Sequence, residues 1–235
     1  MPKANNTNKI KKIVALAMFA ALAYAVHFVH IPVGFLNLDF KDVIIAICGM
    51  YFGPLSGIII AFVVPILEFV TVSTTGVYGL IMNILSSVTF VGTASVIYRF
   101  RKTLSGAVVG LVSAVFAMTA VMIAANLLIT PYYMGVSIAE VGALIPRLLL
   151  PFNAIKAVLN ASLTLCLYKP ITSVLKYTNL KREAAENSTN NDENILKNDT
   201  KTRMRTALVW IIGGAVAIAS LCVIFFVLGG TVTIN

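Results

Sequence analysis

Seven long apolar runs, near residues 11–30, 42–52, 54–72, 77–99, 105–130, 143–168 and 206–229, constrain this chain more than any motif does. About 20 apolar residues in helical form cross the hydrocarbon core of a bilayer, and inside it every backbone polar group must find its partner within the protein. With 59% hydrophobic and 11% charged residues over 235 positions, the chain has more apolar surface than a soluble domain could hide. The expected class is an all-α membrane protein. The second run is short, so its helix is expected to be short, tilted or shielded by neighbours. It is separated from the third by Phe52-Gly53-Pro54, a helix break. Pro65, Pro146 and Pro151 lie inside runs, where they either bend helices for packing or border a site.

The net charge of +9 does not indicate nucleic acid, because the basic residues sit between the apolar runs without interleaved aromatics. Lysine and arginine are retained in cytoplasmic loops. Of the 18 basic residues, all but Lys41, Arg147 and Lys156 fall before the first run, after the fourth, or between the sixth and seventh. Six spans ahead of that last segment put all three on one side, so the N-terminus is expected to be cytoplasmic. The outer segments are then Ile31 to Lys41, Val70 to Val77 and Thr130 to Glu140, rich in Gly, Thr and Tyr. Residues 178–205 are polar and Asn-rich and read as a disordered cytoplasmic linker; Ala207 to Leu228 holds no acid, base or amide and reads as a lipid-facing anchor.

Among these runs the segment Leu148 to Leu167 contains an ionisable residue, Lys156. A charge at the bilayer centre costs roughly 3 kcal/mol on insertion scales, so it is expected to face a cavity or a partner. Asn153, Lys156 and Asn160, spaced i, i+3 and i+7, share one helical face. Asn83 and Asn126 lie on other runs; each asparagine suits either a ligand or a bond between helices. Glu68 and Arg147 read as structural or rim residues near the outer ends of their spans. Asp39 and Asp42 flank the start of the second span, where a carboxylate favours a helix N-terminus. His27 and His30 share a face, but with no acid or cysteine close by in sequence they read as an interfacial pair rather than a metal site. Cys48, Cys166 and Cys222 lack metal-ligand spacing and read as small buried hydrophobes. Ala17, Ala21 and Ala25, at i, i+4 and i+8, form a small-residue stripe that suits close helix approach, either within the bundle or to a partner. No phosphate-cradling glycine loop, HExxH pair or G-x-S-x-G elbow is present, so no ATPase or hydrolase chemistry is expected.

Taken together, the alanine stripe, Leu38-Asp39-Phe40-Lys41-Asp42-Val43, Phe52-Gly53-Pro54-Leu55-Ser56-Gly57, the Thr75-Gly76 to Asn83 stretch and Pro151-Phe152-Asn153-Ala154-Ile155-Lys156 resemble the riboflavin-specific substrate-binding (S) components of energy-coupling factor (ECF) transporters. The likeness covers roughly residues 10 to 177. It implies a six-transmembrane-helix bundle over 1–177 that captures riboflavin from outside, as transported substrate and not as cofactor, with no enzyme activity and no metal. It also implies partners: a transmembrane coupling subunit and two cytoplasmic ATPase subunits, with Ala17, Ala21 and Ala25 as the docking face. By the same likeness the first outer loop caps the ligand, and Asn126 and Lys156 hydrogen-bond the flavin or its ribityl chain. The family usually stops after six spans, so 206–235 is an additional C-terminal transmembrane helix.

A flavin needs apolar walls for a flat ring and a few convergent polar groups for its edge and polyhydroxyl tail. Asn83, Asn126, Asn153, Asn160 and Lys156 suit the polar work, and Leu36, Phe35 and Tyr78 suit the ring faces. Asp39 and Gly79 complete the candidate set. The same scaffold tuned to another vitamin or precursor, an intramembrane enzyme and a non-transporting scaffold remain as alternatives.

Overall fold

The computed structural model describes residues 3–33, 36–73, 75–186, 214–216, 218–220, 222 and 233–234. The helices are α1 (Lys3–His27), α2 (Lys41–Phe52), α3 (Pro54–Thr71), α4 (Gly76–Phe100), α5 (Leu104–Met134), α6 (Ile138–Leu144) and α7 (Leu150–Glu186). Five stretches, Lys9–His27, Pro54–Thr71, Gly76–Phe100, Leu104–Met134 and Ile138–Tyr168, are long and apolar enough to cross a membrane. Large apolar side chains such as Leu55, Val70, Phe100 and Phe116 point outward from the bundle. In a bilayer that outer face needs no polar cover, because lipid is its solvent.

The short second run forms α2, whose 12 residues span about 18 Å at 1.5 Å per residue. Every residue from Lys41 to Met50 is buried. Here the shielding by neighbours is complete: α2 packs against α1, α3, α4 and α7. Its Ile44, Ile45 and Cys48 join Ile60, Val64, Phe90, Val91, Leu111 and Met118 in the main core. The turn from α2 to α3 passes through Gly53 at φ 103°, a backbone conformation that side chains with a Cβ resist. About one turn on either side, Gly49 and Gly57 face each other so closely that a Cβ on Gly57 would lie 2.7 Å from the Gly49 Cα. The FGPLSG motif is therefore a turn plus a close helix crossing.

The outer segment read from sequence as a loop contains a hairpin. Strand β1 (Val29–Val33) pairs antiparallel with β2 (Leu36–Asp39), Ile31 opposite Leu38. A third strand, β3 (Thr233–Ile234), pairs antiparallel with the other edge of β1. The buried Ile31, Val33 and Leu38 pack with Phe152 and Leu159 of α7, which anchors the hairpin on the bundle. Near Pro146, residues Ile145–Leu149 form a π-turn between α6 and α7. Such turns re-aim the side chains that follow. Helix α5 runs through Pro131 to Met134, so the outer segment expected from Thr130 begins later, at the left-handed Gly135. Helix α7 runs to Glu186, into the stretch read as a linker. The rest of that linker, Phe35, and most of the seventh run lie outside the described residues. Cys48 and Cys166 are buried as expected, whereas Cys222 is exposed.

Candidate functional site

The C-terminal ends of α1, α3 and α5, the N-terminal ends of α4 and α7, and the β1–β2 hairpin surround one cavity of about 580 Å³. Of the candidates from sequence, Leu36, Asp39, Tyr78, Gly79, Asn83, Asn126, Asn153 and Lys156 all line it. Asn160 does not. It is buried one turn further along α7, with neither amide atom hydrogen-bonded. The cavity also takes in His27, His30, Asn37, Glu68, Thr130, Tyr133 and Phe152, which the sequence did not single out as lining.

Lys156 carries its charge to this wall because the apolar stem of α7 packs into the bundle and Asp39 meets its tip. The Lys156 Nζ donates to Asp39 Oδ2 at 3.0 Å, and both side chains are almost wholly buried. Lys41 Nζ lies 3.7 Å from the same oxygen and donates to Glu68 Oε2. Two lysines and two carboxylates from the hairpin, α2, α3 and α7 thus form one chain of charges, Lys156–Asp39–Lys41–Glu68. Burial works against a charged Asp39, but the Lys156 and Lys41 ammoniums outweigh it and hold its carboxyl well below the usual carboxylate range.

Three expectations change here. Asp39 does not cap α2: no side chain hydrogen-bonds that helix N-terminus, and Asp39 is committed to Lys156. Asp42 points into the bundle instead, accepting from Ser87 Oγ at 2.5 Å. Glu68 does not reach water; it is 3% exposed, against Lys41 and 3.2 Å from His27 Nδ1. An intramembrane carboxylate marks a functional site by default, and that rule would have found Glu68. His27 and His30 stack at 6.1 Å on the cavity wall, and the described residues contain no group of three or more His, Cys, Asp or Glu able to hold a metal.

Other parts of the lining are amide and aromatic. Asn126 Nδ2 donates to the Met122 carbonyl at 2.7 Å, while its Oδ1 accepts from Thr130 Oγ1 at 2.9 Å. Asn153 Nδ2 donates at 2.7 Å to the carbonyl of Leu149, the last residue of the π-turn. These bonds fix both side chains, and each amide keeps a second N–H and further lone pairs for other partners. Tyr78 and Tyr133 meet edge to face at 6.3 Å. A site of this kind offers a flat apolar surface beside a charged, hydrogen-bonding rim.

The alanine stripe has a different environment. Ala17, Ala21 and Ala25 are exposed, whereas Leu16, Phe19, Ala20, Ala23 and Tyr24 on the other side of α1 pack on the core. Internal packing therefore does not account for the stripe.

A mostly apolar helical bundle with a ligand-sized cavity at one end, apolar-walled and carrying a few convergent polar groups, defines a membrane-embedded small-molecule-binding protein. The chain belongs to the family of substrate-specific components of ECF transporters, whose family model matches residues 11–168; it is a multi-pass membrane protein. It is 29% identical over 181 residues to the riboflavin transporter RibU of Staphylococcus aureus (strain TCH60), covering 73% of this chain and 95% of that protein. Over 163 residues it is 27% identical to the riboflavin transporter FmnP of Bacillus subtilis (strain 168), covering 64% of this chain and 86% of the relative. A solved S component of a bacterial ECF transporter superposes with a TM-score of 0.62 at 28% identity, covering 72% of this chain and 99% of that one.

Proposed function

We propose that the chain captures riboflavin at the outer face of the cell membrane and hands it inward as the S component of an ECF-type transporter. One observation carries this reading. A cavity of about 580 Å³, inside the ~300–1,000 Å³ range of small-molecule sites, is lined by the residues that the resemblance nominates for the flavin. Leu36, Tyr78 and Gly79 offer surface to the ring system. Asn83, Asn126, Asn153 and Lys156 hydrogen-bond its edge and tail, and Asp39 holds Lys156 in place. Asn160, set back from the wall, is left out of the contact set.

The N-terminus lies in the cytoplasm on this reading, as the lysine and arginine pattern requires. Pairing of Thr233–Ile234 with β1 puts these two residues on the same side as the hairpin, the outer side on this reading. Transport draws its energy from a transmembrane coupling subunit and two ATPases, and the exposed Ala17, Ala21 and Ala25 form the surface that meets the coupling subunit. The chain is a binding subunit, not an enzyme.

The test is uptake of labelled riboflavin by a riboflavin-auxotrophic host that carries the chain together with a coupling module. Uptake that requires both and is competed by unlabelled riboflavin, but not by a panel of other vitamins, is expected. Competition by a different vitamin alone would reassign the substrate while leaving the transporter class intact.

A further inference from the structure

We infer that Glu68, with His27 beside it, forms a polyol subsite: an acceptor wall that takes the hydroxyl groups of a ligand's sugar-alcohol chain. This rests on the riboflavin reading and assigns Glu68, otherwise a partner of Lys41, a place in ligand recognition.

The cavity lining carries unmet hydrogen-bonding capacity. A buried polar atom without a partner is costly, and native proteins keep few of them. Among the described residues, the buried side-chain atoms left unpartnered include His27 Nδ1, His30 Nδ1, Asp39 Oδ1, Glu68 Oε1 and Ser86 Oγ. All five side chains line the cavity. Four of the five sit on α1, α3 and the hairpin, with Ser86 on α4, and unmet capacity gathered in this way is the signature of a ligand's polar half.

Chemistry narrows the ligand. An ionised carboxylate only accepts, so Asp39 Oδ1 and Glu68 Oε1 call for O–H or N–H donors. Their other oxygens are taken, Asp39 Oδ2 by Lys156 and Glu68 Oε2 by Lys41. Those ammoniums offset the carboxylate charges and leave Asp39 Oδ1 and Glu68 Oε1 without a completed hydrogen bond, Glu68 Oε1 with only His27 beside it. His27 Nδ1 stands 3.2 Å from Glu68 Oε1 without completing a hydrogen bond, too close for an atom between them, so a ligand hydroxyl would reach Oε1 from the cavity side and donate to it beside the imidazole. A chain of neighbouring hydroxyls supplies several donors in series. The ring system supplies few, and its flat faces match Tyr78, Met122 and Phe152 elsewhere on the lining. Placing the tail against α1, α3 and the His30 and Asp39 end of the hairpin, and the ring against α4, α5, α7 and Leu36, satisfies both halves.

The test compares riboflavin with lumiflavin, which has the ring and lacks the polyol, using flavin-fluorescence titration of the purified full chain. Wild type is expected to bind riboflavin at least tenfold more tightly than lumiflavin. In Glu68→Gln, riboflavin affinity should fall roughly ten- to hundredfold, the worth of a hydrogen bond to a buried charge, while lumiflavin affinity stays within about twofold of wild type. Retained lumiflavin binding also shows that the variant is folded. Equal wild-type affinities for the two flavins would overturn the subsite, and so would equal losses for both flavins in Glu68→Gln; either result leaves riboflavin capture standing. Failure of wild type to bind any flavin would remove the riboflavin reading and the subsite together.

Discussion

Replacing Lys156 by Met, Asp39 by Asn, and then both, probes whether the buried pair is one energetic unit. Nζ and Oδ2 are 3.0 Å apart, with side chains 6% and 2% exposed, so neither group has water to fall back on. Removing one member of such a pair costs about 3–5 kcal/mol, because the other is left charged and buried; removing both is often close to neutral. For Lys156→Met the expected loss is about 3 kcal/mol, at the low end, since Lys41 remains 3.7 Å from the orphaned carboxylate. For Asp39→Asn it is about 4 kcal/mol, because Asp39 supplies the only salt bridge that Lys156 makes among the described residues. The double variant should lose only about 1–2 kcal/mol, a coupling well above the ~0.5 kcal/mol scatter of independent sites. At about 2–4 °C per kcal/mol for a chain of this size, Lys156→Met lowers Tm by about 6–12 °C and the double variant recovers roughly one third to two thirds of that. Thermal melts of the four detergent-solubilised proteins measure this directly. Melting shifts that simply add would refute the claim that the hairpin and α7 are joined through this pair.

The depressed carboxyl of Asp39 sets a pH dependence. Its folded pKa lies below its unfolded value of about 3.9, so its contribution is fully present above that value and is lost as pH falls toward the folded pKa. The Tm gap between wild type and Asp39→Asn should therefore stay constant from about pH 8 to 5 and shrink below about pH 4; a gap that closes between pH 7 and 5 would contradict it. Gly57→Ala places a Cβ 2.7 Å from the Gly49 Cα and 2.8 Å from Val91 Cγ1. Overpacking should lower stability by about 1–3 kcal/mol, read as a reduced Tm, and an unchanged Tm would show that α2 and α3 separate freely. Ala21→Trp, on the exposed stripe, should leave riboflavin affinity unaltered but stop uptake in cells carrying the coupling module; normal uptake would exclude that face from docking.

The long spans were legible because twenty apolar residues in a row allow few folds, and the α2–α3 break because Gly53-Pro54 cannot continue a helix. Asn83, Asn126, Asn153 and Lys156, all of which reach the cavity, were legible for a related reason: polar side chains on apolar helices are rare enough to be conspicuous, Lys156 most of all. Sequence did not reveal the partner of Lys156, because Asp39 lies 117 positions away and a carboxylate before a helix has an adequate local explanation as a cap. Glu68 was discounted for its distance along the span, a one-dimensional measure that ignores the hairpin folded over it. The hairpin itself escaped notice because a proline, Pro32, interrupts β1, and strands with proline read as loops. Asn160 shared a helical face with Lys156 yet fell behind the wall, since a face shared over two turns extends beyond the depth of the cavity.

The central claim is that polar groups from separate helices converge on one cavity that holds riboflavin. Titrating riboflavin with the purified wild-type chain and following flavin fluorescence tests it most directly. Saturable quenching at one flavin per chain, weakened at least tenfold by Lys156→Met, is the predicted result. Fluorescence indifferent to the protein, or full-strength quenching by the Lys156→Met variant, would contradict it.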